Sequence, residues 1–212
     1  MTAVVDNDVL VKSTRYNLLD ATTKLLVRRH SGEVIVQHSL AASCDFEGRL
    51  KHIRLLANIG QRDALHSAVK GFKTLTLSPE ATDLLTLIPR GGNIQSGDAL
   101  WLAAAAVDSR VTIYTGDKKA LVEIANNDMS KRVADMLRGR CVIFPELLLI
   151  LINAEMFNSV RGGVMADQGC DPGINKFFPS GGKTARAEVV SLLQAEIAAA
   201  HKSTHGLVNP PA

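Results

Sequence analysis

GDALWLAAAAVDSRVTIYTGDKKAL, residues 97–121, reads as a helix, a strand and the start of a second helix in one unbroken run. Ala99 to Val107 is apolar and rich in Ala, the best helix former. Val111 to Tyr114 (VTIY) is β-branched or aromatic and of strand length. Thr115, Gly116 and Asp117 end that strand, and Lys118 opens a helical pattern that reaches Arg138 with a break near Asn127. Strands joined by helix-length crossovers can pair in parallel, which a tight hairpin cannot achieve. This run therefore predicts an α/β protein.

The same unit recurs on both sides of it. AVV (3–5), EVIV (33–36), TLTL (74–77) and CVIF (141–144) complete a set of five strand candidates. Helical patterns fall at Tyr16 to Arg29, Leu40 to Val69 with a break near Gly60, Pro79 to Leu87, Ser96 to Val107, and Pro145 to Phe157. The predicted architecture is a single domain over residues 1–157, with a mainly parallel sheet of about five strands and helices on both faces. Residues 158–183 are dense in Gly and Pro and read as a loop, irregular from Arg161 to Lys183. Residues 184–212 read as a C-terminal helix and tail. Val189, Leu192, Leu193 and Ile197 form an apolar stripe that needs a partner, on the domain or on a second subunit, and the closing HGLVNPPA is expected to fray.

Composition narrows the class. Of 212 residues, 46% are hydrophobic and 21% charged, which is the balance of a folded globular chain. Lys and Arg exceed Asp and Glu by only 24 to 21, so any nucleic-acid binding must come from a local patch. Cys44, Cys141 and Cys170 are odd in number and widely spaced, which predicts free thiols in a reducing compartment. Asp6 and Asp8 stand where a secretory signal would be basic, so a cytoplasmic location is expected. CVIFPELLLILINAEMF (141–157), interrupted by Pro145 and Glu146, reads as core and no membrane association is expected. The six histidines show no metal-binding spacing.

Acidic residues gather where the predicted strands end. VVDNDVL (4–10) carries its first strand into Asp6, Asn7 and Asp8, and VTIYTGD carries the fourth into Asp117. Asp98 lies in the first turn of the helix opened by QSGDAL, with Ser96 as the expected N-cap. Taken singly, each acid suits a helix start or a turn. Taken together, three carboxylates at one sheet edge would repel one another unless a hard cation such as Mg²⁺ or Mn²⁺ joined them.

On these residues the chain resembles the PIN-domain nucleases. VVDNDVL is similar to that family's opening strand, and GDALWLAAAAVDSRVTIYTGDKKAL to its later block: an Asp opening an Ala-rich helix, then a strand ending in Thr, any residue, Asp. The resemblance spans about Met1 to Phe144. It implies Asp6, Asp98 and Asp117 as the catalytic, metal-binding acids, with Asp8 and Thr115 in support. It also implies Mg²⁺ or Mn²⁺ as cofactor and hydrolysis of RNA as the activity. Many members are toxins held by an antitoxin, so such a protein partner, or a homo-oligomer, is within the expectation. Lys118 and Lys119 beside the site are candidates for the phosphate backbone, as are Arg49, Lys51, Arg54, Arg62 and Lys70 further off. One feature departs from the family pattern: its Glu after the second strand has no counterpart, with Ala42 and Ser43 in the region and Asp45 or Glu47 as the nearest acids.

Three other readings stay open. A non-catalytic PIN-like module binding RNA or protein follows from the missing Glu. VVDNDVLV is also similar to the nucleophile strand of haloacid dehalogenase-like phosphatases, with Asp6 phosphorylated and Asp8 as acid and base, but TGDKKAL lacks the second Asp that family needs. GGKT (181–184) resembles the end of a phosphate-binding loop, yet Phe177 occupies the position of the first Gly and no strand precedes it. A loop feeding a helix start explains it as well.

Overall fold

In the computed structural model, which describes residues 1–49 and 55–211, five strands form one parallel sheet in the order β3-β2-β1-β4-β5. They are β1 (Thr2–Val5), β2 (Val34–Val36), β3 (Lys73–Thr74), β4 (Val111–Thr115) and β5 (Cys141–Ile143). Val4 lies opposite Ile35 on one side and Ile113 on the other, so β1 is central. Its residues Ala3, Val4 and Val5 are buried, as are all three of β5. Burial on both faces is what a parallel sheet under two helical layers requires. At the edge, β3 is two exposed residues, and of TLTL only Thr74 lies in the strand, with Leu75 adding one hydrogen bond to the Val36 carbonyl.

The helices are α1 (Asn7–Arg15), α2 (Leu19–Arg29), α3 (Ser39–Ser43), α4 (Ile59–Val69), α5 (Pro79–Leu85), α6 (Ser96–Val107), α7 (Lys118–Asn126), α8 (Lys131–Leu137), α9 (Phe144–Leu151), α10 (Phe157–Ala166), α11 (Pro172–Asn175) and α12 (Arg186–Ser203). Trp101 is fully buried on α6, which packs against α5 and α8. The helical region expected over Leu40 to Val69 divides into α3 and α4; residues 50–54, with Lys51 and Arg54, lie outside the described residues.

Four expectations are corrected. The first helix begins at Asn7, not near Tyr16, because the apolar residues flanking Asp6 and Asp8 do not distinguish strand from helix by period. The segment 158–183 is not a continuous loop: α10 runs to Ala166, α11 and a 3-10 turn (Gly181–Lys183) follow, and Ile174, Phe177 and Phe178 are buried. Gly162 and Gly163 do not break α10. A Cβ on Gly163 would lie 2.0 Å from the Tyr16 carbonyl oxygen, so the glycine is there to let α10 touch the end of α1.

The tail is not frayed either. His205 and Gly206 turn with positive φ, and Leu207 and Val208 are buried beside β5. There Cys141 N–H donates to the Leu207 carbonyl at 3.0 Å, and Gly139 N–H to that of Gly206 at 2.8 Å. Lastly, the apolar run does not stop at Phe157. Phe144–Ala166 is 23 residues long and contains an 18-residue window at mean hydropathy 1.2, long and apolar enough by length and composition to cross a membrane. In this fold Leu147, Leu148, Leu151 and Ile152 are buried, α9 packs on α12, and the backbone leaves helical geometry at Ala154 and Glu155.

Candidate functional site

The strand order reverses between β1 and β4, where the chain winds outward in one direction through β2 and β3 and in the other through β5. In open α/β sheets the crevice beyond the strand C-termini at such a point is the ligand site. Asp6 and Thr115 stand at those two strand ends.

Asp6 follows β1 directly, and its N–H donates to the Tyr114 carbonyl at 2.9 Å. Although it occupies the N-cap position of α1, its carboxylate does not cap that helix. Instead Oδ1 accepts from Gln37 Nε2 and Oδ2 from Thr115 Oγ1, both at 3.1 Å. Gln37 lies just beyond β2, and its Oε1 accepts from Ser39 Oγ, which in turn accepts from Asn7 Nδ2. A neutral relay thus holds a carboxylate that is 7% exposed. Burial, then the nearby Asp8 and Asp98 charges, push the Asp6 carboxyl up to about 7, against the opposing hydrogen bond from Thr115.

Asp98 sits in the first turn of α6, where its Oδ2 accepts from Gln95 N–H at 2.8 Å. The N-cap is therefore Gln95, one residue before the expected Ser96, and Asp98 closes a capping box. Burial, and to a lesser degree the Asp117 charge, raise its carboxyl above the ordinary range. Asp117 caps α7 through Oδ1 and Ala120 N–H at 3.0 Å, while its own N–H donates to Thr115 Oγ1 at 3.0 Å. Asp8, in the first turn of α1, pairs with Lys12 at 2.6 Å. Its carboxyl is also raised, chiefly by burial. Gly116 makes room for it: a Cβ there would lie 1.8 Å from Asp8 Oδ2.

All four aspartates line one cavity of about 920 Å³. Lys118 and Lys119, from the start of α7, line it too. Asp45 and Glu47 do not; Asp45 Oδ1 accepts from Arg49 N–H, and Glu47 pairs with the Arg49 guanidinium. Of the more distant basic residues, Arg49 and Arg62 are tied to Glu47 and Asp63 and lie away from this cavity. GGKT does not line it, and Thr184 Oγ1 instead accepts from Ser180 N–H and donates to the Gly181 carbonyl, closing the turn before α12.

Two contributors are not legible in the sequence. Gln37 gives no carboxylate signal, yet its amide holds Asp6. The other is the C-terminal extension, whose Asp171, Ile174, Lys176, Phe177 and Glu196 form a wall of the cavity. Lys12 bridges Asp8 and Asp171 at 2.6 Å each, and Arg15 makes a two-pronged pair with Asp167 at 2.7 and 2.8 Å. Basic residues of α1 therefore clasp the extension from a sequence distance that no local pattern reveals.

The donors at this edge are hard carboxylate oxygens, the type that Mg²⁺ and Mn²⁺ prefer. Among the described residues, however, no three His, Cys, Asp or Glu side chains are grouped so that together they could hold a metal ion. Such a set suits Mg²⁺ through its habit of taking one or two carboxylates and completing its shell with water and phosphate oxygens. Comparison of the chain with family models, with curated proteins and with solved structures finds no match.

Proposed function

We propose that this protein is a PIN-like, divalent-metal-dependent endoribonuclease acting at the Asp6, Asp98 and Asp117 edge of the sheet. The observation that carries this reading is the placement of four aspartates in one cavity at the reversal point between β1 and β4. One or two of Asp6, Asp98 and Asp117 would bind Mg²⁺ or Mn²⁺ directly, with Thr115 and Gln37 fixing the Asp6 carboxylate. The bound ion supplies Lewis-acid chemistry: activation of a water and neutralisation of charge on the phosphodiester. The chain's own groups orient the substrate, with Lys118 and Lys119 at the cavity available to backbone phosphates. RNA as the substrate, and the cytoplasm as its place, rest on the motif resemblance and the composition.

A second reading, a metal-independent RNA-binding module, is favoured by two observations: neither Asp45 nor Glu47, the acids nearest the region after β2, lines the cavity, and no three donors among the described residues are grouped to hold an ion. Purified protein incubated with single-stranded RNA and Mn²⁺ separates the two. Cleavage that EDTA stops and Asp117→Asn abolishes supports the nuclease. RNA binding without cleavage in Mn²⁺ supports the module, and neither binding nor cleavage removes both.

A further inference from the structure

Glu196 lies on α12, and its two carboxylate oxygens are shared between lysines from different parts of the chain. Lys118 Nζ, from the start of α7, contacts Oε1, and Lys176 Nζ, from the extension just after α11, donates to Oε2 at 2.6 Å. All three residues line the cavity that holds the aspartates. The Glu196 side chain is only 15% exposed, whereas those of Lys118 and Lys176 are 40% and 54% exposed. The carboxylate thus stands behind, and the ammonium groups stand in front. Each ammonium has three donors and spends one on Glu196, leaving the others for an incoming acceptor. Lys176 is further steadied over the Phe177 ring at 5.0 Å, and Phe177 is itself buried. With Lys119, and with Lys12 paired to Asp171, the cavity carries four ammonium groups against the carboxylates of Glu196 and Asp171, beside the acidic edge. A ligand suited to both sides has anionic oxygens and tolerates a cation between some of them and the aspartates.

We propose that the extension completes the substrate site: Lys176 and Lys118 grip one backbone phosphate of the RNA between them, and Glu196 is the positioning residue that sets their spacing. This rests on the endoribonuclease reading and adds to it a binding wall from outside the sheet domain. Each lysine neutralises a phosphate and releases counterions, so its loss lowers the salt dependence of binding as well as the affinity.

The test uses the full chain and a short fluorescein-labelled oligouridylate. Binding is followed between about 50 and 200 mM KCl with Ca²⁺ in place of Mg²⁺, and cleavage is followed separately in Mn²⁺. Lys176→Gln and Lys118→Gln are each expected to weaken binding and to reduce the slope of log K against log salt by about 0.7. Lys202→Gln, an equal loss of charge on an exposed residue of α12 outside the cavity, is expected to leave both unchanged. Glu196→Gln removes a negative charge beside the phosphate and is nonetheless expected to weaken binding, because the lysines lose their brace. Melting curves verify that each variant is folded. If Lys176→Gln matches Lys202→Gln while the wild type binds and cleaves, the phosphate grip is overturned and the nuclease reading stands. If Glu196→Gln binds more tightly, its positioning role is overturned. A wild type that neither binds nor cleaves overturns both readings.

Discussion

At the scale of single residues, Asp6 carries the clearest electrostatic signature. Its carboxyl in the folded protein titrates at about 7, above the roughly 3.9 of an unfolded chain. Between these values the folded state keeps a proton that the unfolded state releases. The stabilisation is therefore full below about pH 4 and is lost as pH rises through about 7. Glu146, raised to about 7 mainly by burial, adds to the same slope. Without divalent metal, the melting temperature is expected to fall between pH 4 and 7, and Asp6→Asn to flatten the fall while Glu146 preserves part of it. An unchanged slope in Asp6→Asn would show that Asp6 does not titrate there. Gly116 makes a steric prediction at the same edge. Gly116→Ala places a methyl group on Asp8 Oδ2 and must displace that carboxylate from Lys12. The expected outcome is loss of Mn²⁺-dependent cleavage with at most a modest drop in melting temperature, read by assaying both on one preparation.

At the scale of elements, α10 shows how context reverses a residue's usual meaning. Gly162 has nothing within 4 Å of where a Cβ would stand, whereas at Gly163 the Cβ would meet the Tyr16 carbonyl oxygen at 2.0 Å. Gly162→Ala is expected to stabilise the protein by about 0.5–1 kcal/mol through helix propensity. Gly163→Ala gains the same propensity but drives α10 off α1, and is expected to destabilise by about 1–3 kcal/mol net. Urea titrations of the two variants measure the contrast. Equal effects would mean that α10 does not pack on α1 as described. The alternation of strand and helix, the start of α6 within a residue and the break between α7 and α8 were all readable beforehand, since each follows from local period and capping chemistry. The start of α1 and the course of α10 were not. Each depends on what the helix packs against, which neighbours in sequence do not specify.

At the scale of the whole molecule, the extension belongs to the same folded unit as the sheet. Val189, Leu193, Ile197 and Ala200 are fully buried on α12, which packs on α9 and α7, and the tail adds Leu207 and Val208 beside β5. Lys12, Arg15 and Lys118 join its charged residues to the first and fourth crossovers. Unfolding is expected as one calorimetric transition, and Leu193→Ala is expected to lower its free energy by about 2–5 kcal/mol. Two separable transitions, with only the second moved by Leu193→Ala, would show that the extension folds independently.

The sequence by itself determined the class of fold, because apolar strand-length runs separated by helix-length segments leave a parallel sheet as the economical solution. It also pointed to acids that line one cavity: Asp6 and Asp117 follow strands that point the same way, and Asp98 opens the helix that leads into β4. Tertiary structure alone decided how those acids are held. Gln37 reaches Asp6 from just beyond the neighbouring strand, Gly116 yields space to Asp8, and Lys176 and Glu196 arrive from the far end of the chain. The physical reason is range: periodicity and capping act over a few residues, whereas a cavity wall and a shared carboxylate are set by which surfaces the packed core brings together.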